Sequence, residues 1–200
     1  LKSKTKTLLV IANVDDIENS ISPGYIHLPD GEGGELLYCG YWYGSQQDPT
    51  FCSFRFTLTD KIPSGSSLKS VSLSMRGKGV QAWDNLNNSF NISATHIKSS
   101  SQITGIDDVI GKLNGFIETS AKVRWPSTGG LVWSDTQMST PDLSPIIQEL
   151  VDDFNGLETG NSVTLWLHAP PTTGNNEVLI ADLGHSDHNT SLTIEYEYYE

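Results

Sequence analysis

Polar and apolar residues alternate over most of this chain, the period of a strand with one buried face. Phe54, Phe56 and Leu58 share one side, opposite Ser53, Arg55 and Thr57. The same step of two recurs at Val71, Leu73 and Met75, and at Phe90, Ile92, Ala94 and His96. At the end of the chain Leu192, Ile194, Tyr196 and Tyr198 fall on one face, with Glu195 and Glu197 on the other. Strands are therefore expected over 36–43, 51–59, 67–75, 120–125, 162–167, 177–183 and 191–199. Turn-rich polar stretches separate them, including Ile62-Pro63-Ser64-Gly65-Ser66 and a loop over 76–88 that contains Trp83.

One segment keeps a different period. Leu143, Ile146, Ile147, Leu150, Val151 and Phe154 recur at helical spacing, while Gln148, Glu149, Asp152 and Asp153 fall on the opposite face. Thr140 or Asp142 is a candidate cap, and Pro141 and Pro145 suit a first turn whose N–H groups lack partners. Asn155-Gly156 supplies a stop that tolerates left-handed backbone. Acidic residues at a helix C-terminus oppose the macrodipole, so Asp152 and Asp153 either have a partner or ion or are simply solvated. Ile106, Val109, Ile110 and Leu113 space like a second, short helix in an insertion closed by Asn114-Gly115. Together these elements predict an all-β fold, an antiparallel, jelly-roll-like β-sandwich with one packed α-helix. No repeat or linker divides residues 1–200, so a single domain is expected.

The N-terminus leaves two readings open. Lys2 to Thr7 alternate Lys with Ser or Thr before the apolar run Leu8, Leu9, Val10, Ile11, Ala12. This is either a first sheet strand or an assembly arm, residues 1–12, that adds to the sheet edge of a neighbouring subunit. Cys39 and Cys52 flank a hairpin whose tip is Gly44 to Gln47, and pairing around that tip sets them opposite each other. A disulfide there would contribute about 3 kcal/mol by the chain-entropy argument and would imply an oxidising compartment. Two buried thiols are the alternative.

Acidic loops give a candidate calcium site, since that ion accepts loose oxygen coordination. Asp15, Asp16 and Glu18 lie close together, and Asp30 leads the run Gly31-Glu32-Gly33-Gly34. Neither stretch matches an EF-hand, and solvated acids explain both. Tyr41, Trp42 and Tyr43, with Trp83, could stack on sugar rings, fill the core, or sit in a subunit contact.

Charge narrows the partners. The 200 residues carry a formal charge of -12, and no basic run exists, so nucleic acid is not an expected partner. The longest apolar run is far short of the ~20 residues that cross a bilayer, so no transmembrane segment is expected. Abundant Ser, Thr, Asn and Gly are usual in extracellular β-proteins. A chain beginning at Leu1 without a signal peptide reads as a processed product or excised domain. Asn87, Asn91 and Asn189 open N-x-S/T triplets at a frequency close to chance.

Catalytic motifs are scarce: there is no G-x-S-x-G, H-E-x-x-H, P-loop or paired CxxC. His185, Asp187 and His188 form the most metal-like cluster, though a polar turn explains them equally. His96 reads as a partly covered sheet residue. Glu195 and Glu197 lie two apart on one strand, roughly 6.5–7 Å, a spacing that a glycosidase could use and that solvent-facing acids also show.

Several segments taken in order resemble a known group: FRFTL, IPSGSSLKSVSLSM, SAKVRWP with a later Trp, TPDLSPIIQELVDDF, GNSVTLWL and SLTIEYEY. Over roughly 51–198 the chain is similar to the DNRLRE and disaggregatase-related sandwich modules of secreted bacterial, archaeal and phage surface proteins, and to carbohydrate-binding modules. The DNRLRE string itself is absent. The resemblance implies a non-catalytic adhesive or structural part and offers no catalytic residue. The expected function is a secreted or surface-exposed, self-assembling subunit of a filament, tube or virion surface, a homo-oligomer or polymer. The alternative is a carbohydrate-binding module that takes a polysaccharide and holds structural calcium.

Overall fold

The computed structural model describes residues 1–9, 16–20, 26–27, 36–41, 49–80, 89–102, 117–126, 135–168, 178–181, 185–186 and 188–199. Its strands are β1 (Lys2–Leu9), β2 (Asp16–Ser20), β3 (Ile26–His27), β4 (Leu36–Tyr41), β5 (Pro49–Thr57), β6 (Ser67–Val80), β7 (Phe90–Ala94) and β8 (Val123–Trp125). β9 (Gln137–Ser139), helix α1 (Ser144–Asp153), β10 (Ser162–His168), β11 (Val178–Ala181) and β12 (Ser191–Tyr198) complete the order. All the strand pairs are antiparallel. The fold is the expected all-β sandwich, with one helix among the described residues.

Two layers share one hydrogen-bonded path, β1-β12-β6-β11-β4-β5-β10-β7-β8. β1, β12, β6 and β9 make the first layer; β2, β3, β5, β10, β7 and β8 make the second. The link between them runs through β11, which pairs with the C-terminal part of β6, and β4, which reaches β5 only at Gly40↔Thr50 and Tyr41↔Pro49. β6 is 14 residues long and can serve both β12 and β11. Its extension through Arg76 to Val80 replaces the loop expected there, because β11 and β9 supply partners for a polar, glycine-containing stretch.

The inward faces are those the alternation marked. Phe54, Phe56, Val71, Leu73, Met75, Ile92, Leu165, Leu192 and Ile194 are all buried in one core. Each such side chain contributes about 1.5–3 kcal/mol by leaving water. β10 is covered on both faces. Leu165 and Leu167 meet the core, while on the outer side Trp166 Nε1–H donates to Thr95 Oγ1 at 2.9 Å and Thr164 bonds Ser100 Oγ at 2.8 Å.

Helix α1 packs against β6 and β7, one from each layer, and buries Ile146, Ile147, Leu150 and Val151 in the gap between them. Asn155 (φ 56°) and Gly156 (φ 91°) end it in the left-handed backbone expected of that pair. The start differs from expectation. Leu143 occupies the N-cap without a side-chain cap bond; of the two candidate caps, Thr140 turns to β6, and Asp142 serves both β6 and the first helical N–H. Thr140 Oγ1 accepts the Leu73 N–H at 3.1 Å, and Asp142 Oδ1 accepts the N–H groups of Val71 (2.9 Å) and Ser144 (3.0 Å).

Two alternatives that the sequence left open turn on strand register. Cys39 and Cys52 are two separate buried thiols, without a bond between them. Carrying the β4–β5 register one step back from Gly40↔Thr50 sets Cys39 across from Phe51, one place out of step with Cys52. Cys39 Sγ–H points instead to the Leu167 carbonyl at 3.6 Å. Residues Lys2 to Leu9 do not form a free arm, for they pair along their whole length with β12 of the same chain, from Lys2↔Tyr198 to Leu9↔Ser191. Leu8 enters the core and Leu9 stays exposed, whereas Val10 and Ile11 lie outside the described residues.

Candidate functional site

A histidine–carboxylate cluster forms where the end of β7 meets helix α1. Beyond Ala94 the chain holds its course through the Thr95↔Glu118 bridge and a bond from His96 N–H to the Ile117 carbonyl at 2.8 Å. This places the His96 ring beside the last turns of α1. Glu149 and Asp153, four apart, face the same side of that helix. His96 Nε2 lies 2.8 Å from Asp153 Oδ2 and 3.9 Å from Glu149 Oε1. The Phe154 ring packs on the imidazole with centroids 5.1 Å apart. Glu149 is held from behind: its two oxygens accept the N–H groups of Ser120 and Ala121, each at 2.7 Å. Asp153 thus has a partner, and His96 is partly covered just beyond the end of β7. The cluster escapes sequence reasoning because His96 and the two helix carboxylates lie on segments some fifty residues apart; only the unfavourable acids at the helix end hinted at it.

A second feature is an open groove of about 410 Å³ at the rim of β1 and β12. Lys4, Asp60, Lys61, Tyr196, Tyr198 and Tyr199 line it. Tyr196 donates its hydroxyl to the Lys61 carbonyl at 2.8 Å, its ring lies 5.9 Å from that of Tyr198, and Tyr199 is exposed. Burial, with lesser help from Asp60 and Tyr198, raises the Tyr196 phenol above its ordinary pKa. Lys4 reaches Asp60 at 3.2 Å, and Lys6 pairs with the same carboxylate, which the two lysines hold below the usual range. Tyr196 is buried, so Tyr198 and Tyr199 are the rings with a face open for stacking on a sugar.

The residues singled out by sequence are placed as follows. Asp16 and Glu18 lie in strand β2, paired with Phe54 and Cys52, instead of in a loop; Asp15 and Asp30 lie outside the described residues. The structure therefore brings no acidic loop cage together among the described residues. Tyr41 ends β4, while Trp42, Tyr43 and Trp83 are outside the description, as is the helix expected near residues 106–113. The His188 N–H donates to the His185 carbonyl at 2.9 Å in a turn, and burial beside His185 lowers the His188 imidazole pKa; Asp187 is not described. Glu195 accepts from Ser70 Oγ at 3.2 Å and Glu197 pairs with Lys69 at 2.8 Å, ordinary cross-strand contacts with β6.

His168, which the sequence did not mark, ends β10 against the Phe51 ring at 5.0 Å and Glu118 Oε1 at 3.3 Å. Burial lowers its pKa; Glu118 opposes that and Lys122 adds to it. No family model matches the chain, and no curated protein matches it significantly.

Proposed function

We propose that this protein is a non-catalytic subunit of an extracellular assembly that grows through the edge of β1. The observation that carries this reading is the edge itself. β1 runs eight residues in unbroken register with β12, and no second strand pairs with it among the described residues. An edge of that length is either guarded or used. Its usual guards are lysines, yet Lys4 and Lys6 are drawn to Asp60, and beyond Lys2 the small Ser3, Thr5 and Thr7 are exposed. A strand from another copy could then add by backbone hydrogen bonds. The composition and the resemblance to secreted surface modules support the extracellular part.

Sedimentation velocity and negative-stain microscopy of the full chain, with calcium and then with chelator, test the proposal. Ordered polymers are expected, and their loss in chelator would put calcium at the contacts. Proline at Thr5 and, separately, at Lys6 refines the test. In an antiparallel edge strand alternate N–H groups point outward, so one of the two substitutions should keep the fold and block growth. Concentration-independent monomers would overturn it. The tyrosine groove favours the second reading, a polysaccharide-binding module, and in that outcome Tyr199→Ala should weaken glycan binding without unfolding the domain.

A further inference from the structure

We propose that His96, Glu149 and Asp153 bind a divalent transition-metal ion, and that zinc suits their one-nitrogen, two-oxygen donor set. The geometry is close to what such an ion requires. Zinc takes imidazole nitrogen and carboxylate oxygen at about 2.0–2.2 Å, which sets tetrahedral ligand atoms about 3.3 Å apart. The His96 nitrogen is 2.8 Å from one carboxylate oxygen and 3.9 Å from the other, values that bracket that edge. All three ligand atoms lie within 4.8 Å of one another. Those atoms close by up to about 1.5 Å onto an ion, within the reach of a half-exposed Asp153 side chain.

Two features prepare the site. The backbone N–H groups of Ser120 and Ala121 orient Glu149 while using one lone pair on each oxygen, so Oε1 can still ligate. Phe154 limits the swing of the imidazole, reducing the ordering cost on binding. A separate observation asks for a cation. Like charges four apart repel, and both lie toward the negative end of α1, whose last turn holds no basic residue. A divalent ion shared by the two carboxylates relieves both. Calcium and magnesium prefer all-oxygen shells, so the imidazole selects against them. The three ligands leave a fourth position open to solvent, for water or for a donor from a bound partner. An ion there would tie the C-terminal half of α1 to the turn after β7.

The test uses the full chain stripped with chelator, titrated with zinc chloride by calorimetry and with cobalt(II) by visible absorption. One equivalent should bind, raise the melting temperature, and give the intense cobalt bands of a tetrahedral site; magnesium should do neither. His96→Ala and Asp153→Asn should each weaken zinc binding tenfold or more. Asp153 is half exposed, so the second variant keeps the fold even if the first does not. His185→Ala separates this cluster from the other histidine pair and should leave the titration unchanged. Absence of saturable binding near one equivalent, or zinc binding untouched by Asp153→Asn, would overturn the proposal.

Discussion

Gly156 shows how one atom can be excluded by main chain alone. At φ 91° it already occupies backbone that side chains avoid, and an added Cβ would meet the Ser64 nitrogen at 2.7 Å and the Ile62 oxygen at 2.9 Å. Neither neighbour can rotate aside, because Ile62 and Leu157 exchange backbone hydrogen bonds at 2.8 and 2.9 Å. Gly160 has a similar φ of 86° but open space around it. Gly160→Ala should therefore cost about 1 kcal/mol, from strain alone. Gly156→Ala should cost about 3 kcal/mol or more, from strain plus overlap. Urea unfolding of the two variants checks this, and equal costs would mean that the 62–66 turn moves away. The left-handed stop was legible in the pair Asn155-Gly156. What the glycine packs against was not, since local pattern carries no information about a turn so distant in sequence. His96 failed to stand out for the same reason: its partners arrive from α1, and the groups that orient Glu149 arrive from residues 120 and 121.

Strand β6 is completed on one side by elements of mixed kind. β9 pairs with it from Ser74 to Arg76. Further along, the Thr140 and Leu143 N–H groups donate to the Leu73 and Val71 carbonyls, while Thr140, Asp142 and Gln148 side chains accept from Leu73, Val71 and Leu68. Side chains thus continue a ladder that backbone began, and α1 protects an edge as well as filling the core. Asp142→Ala would leave the Val71 N–H without its acceptor, at a cost of about 1–3 kcal/mol near neutral pH. Burial pushes the Asp142 carboxyl upward, but hydrogen bonds from the Ser144 hydroxyl and from the Val71 and Ser144 N–H groups outweigh it and hold the pKa below the ordinary value. A depressed carboxyl contributes its stability above the unfolded pKa, about 3.9, and loses it as pH falls through the folded value. The gap between wild type and Asp142→Ala should consequently narrow below about pH 4. Thermal melts across pH 2.5–7 measure it, and a constant gap would show that the charge is irrelevant to the bond. The helix was readable from its apolar spacing, but its polar residues were assigned to capping and solvent, because β6 has no sequence mark showing that it lacks a full-length neighbour.

The way the two layers join decides what the cysteines can be. Alternation marked most inward faces correctly, yet it cannot set the register between strands, and here a shift of one residue changes the chemistry. β4 leaves β5 after Gly40↔Thr50 and continues along β11, with Cys39 across from Val178. Cys52 stays in the second layer, opposite Leu167 on β10. Both side chains have no exposure. A thiol reagent should therefore react slowly with the native full chain and should find two equivalents once denaturant is added without reductant. Melting with and without reductant should coincide. Two thiols would remove the disulfide as a reason to place the protein in an oxidising compartment. No thiol after denaturation would instead mean that the bridge forms, that the β4–β5 register slides by one residue, and that the join between the layers is covalently clamped.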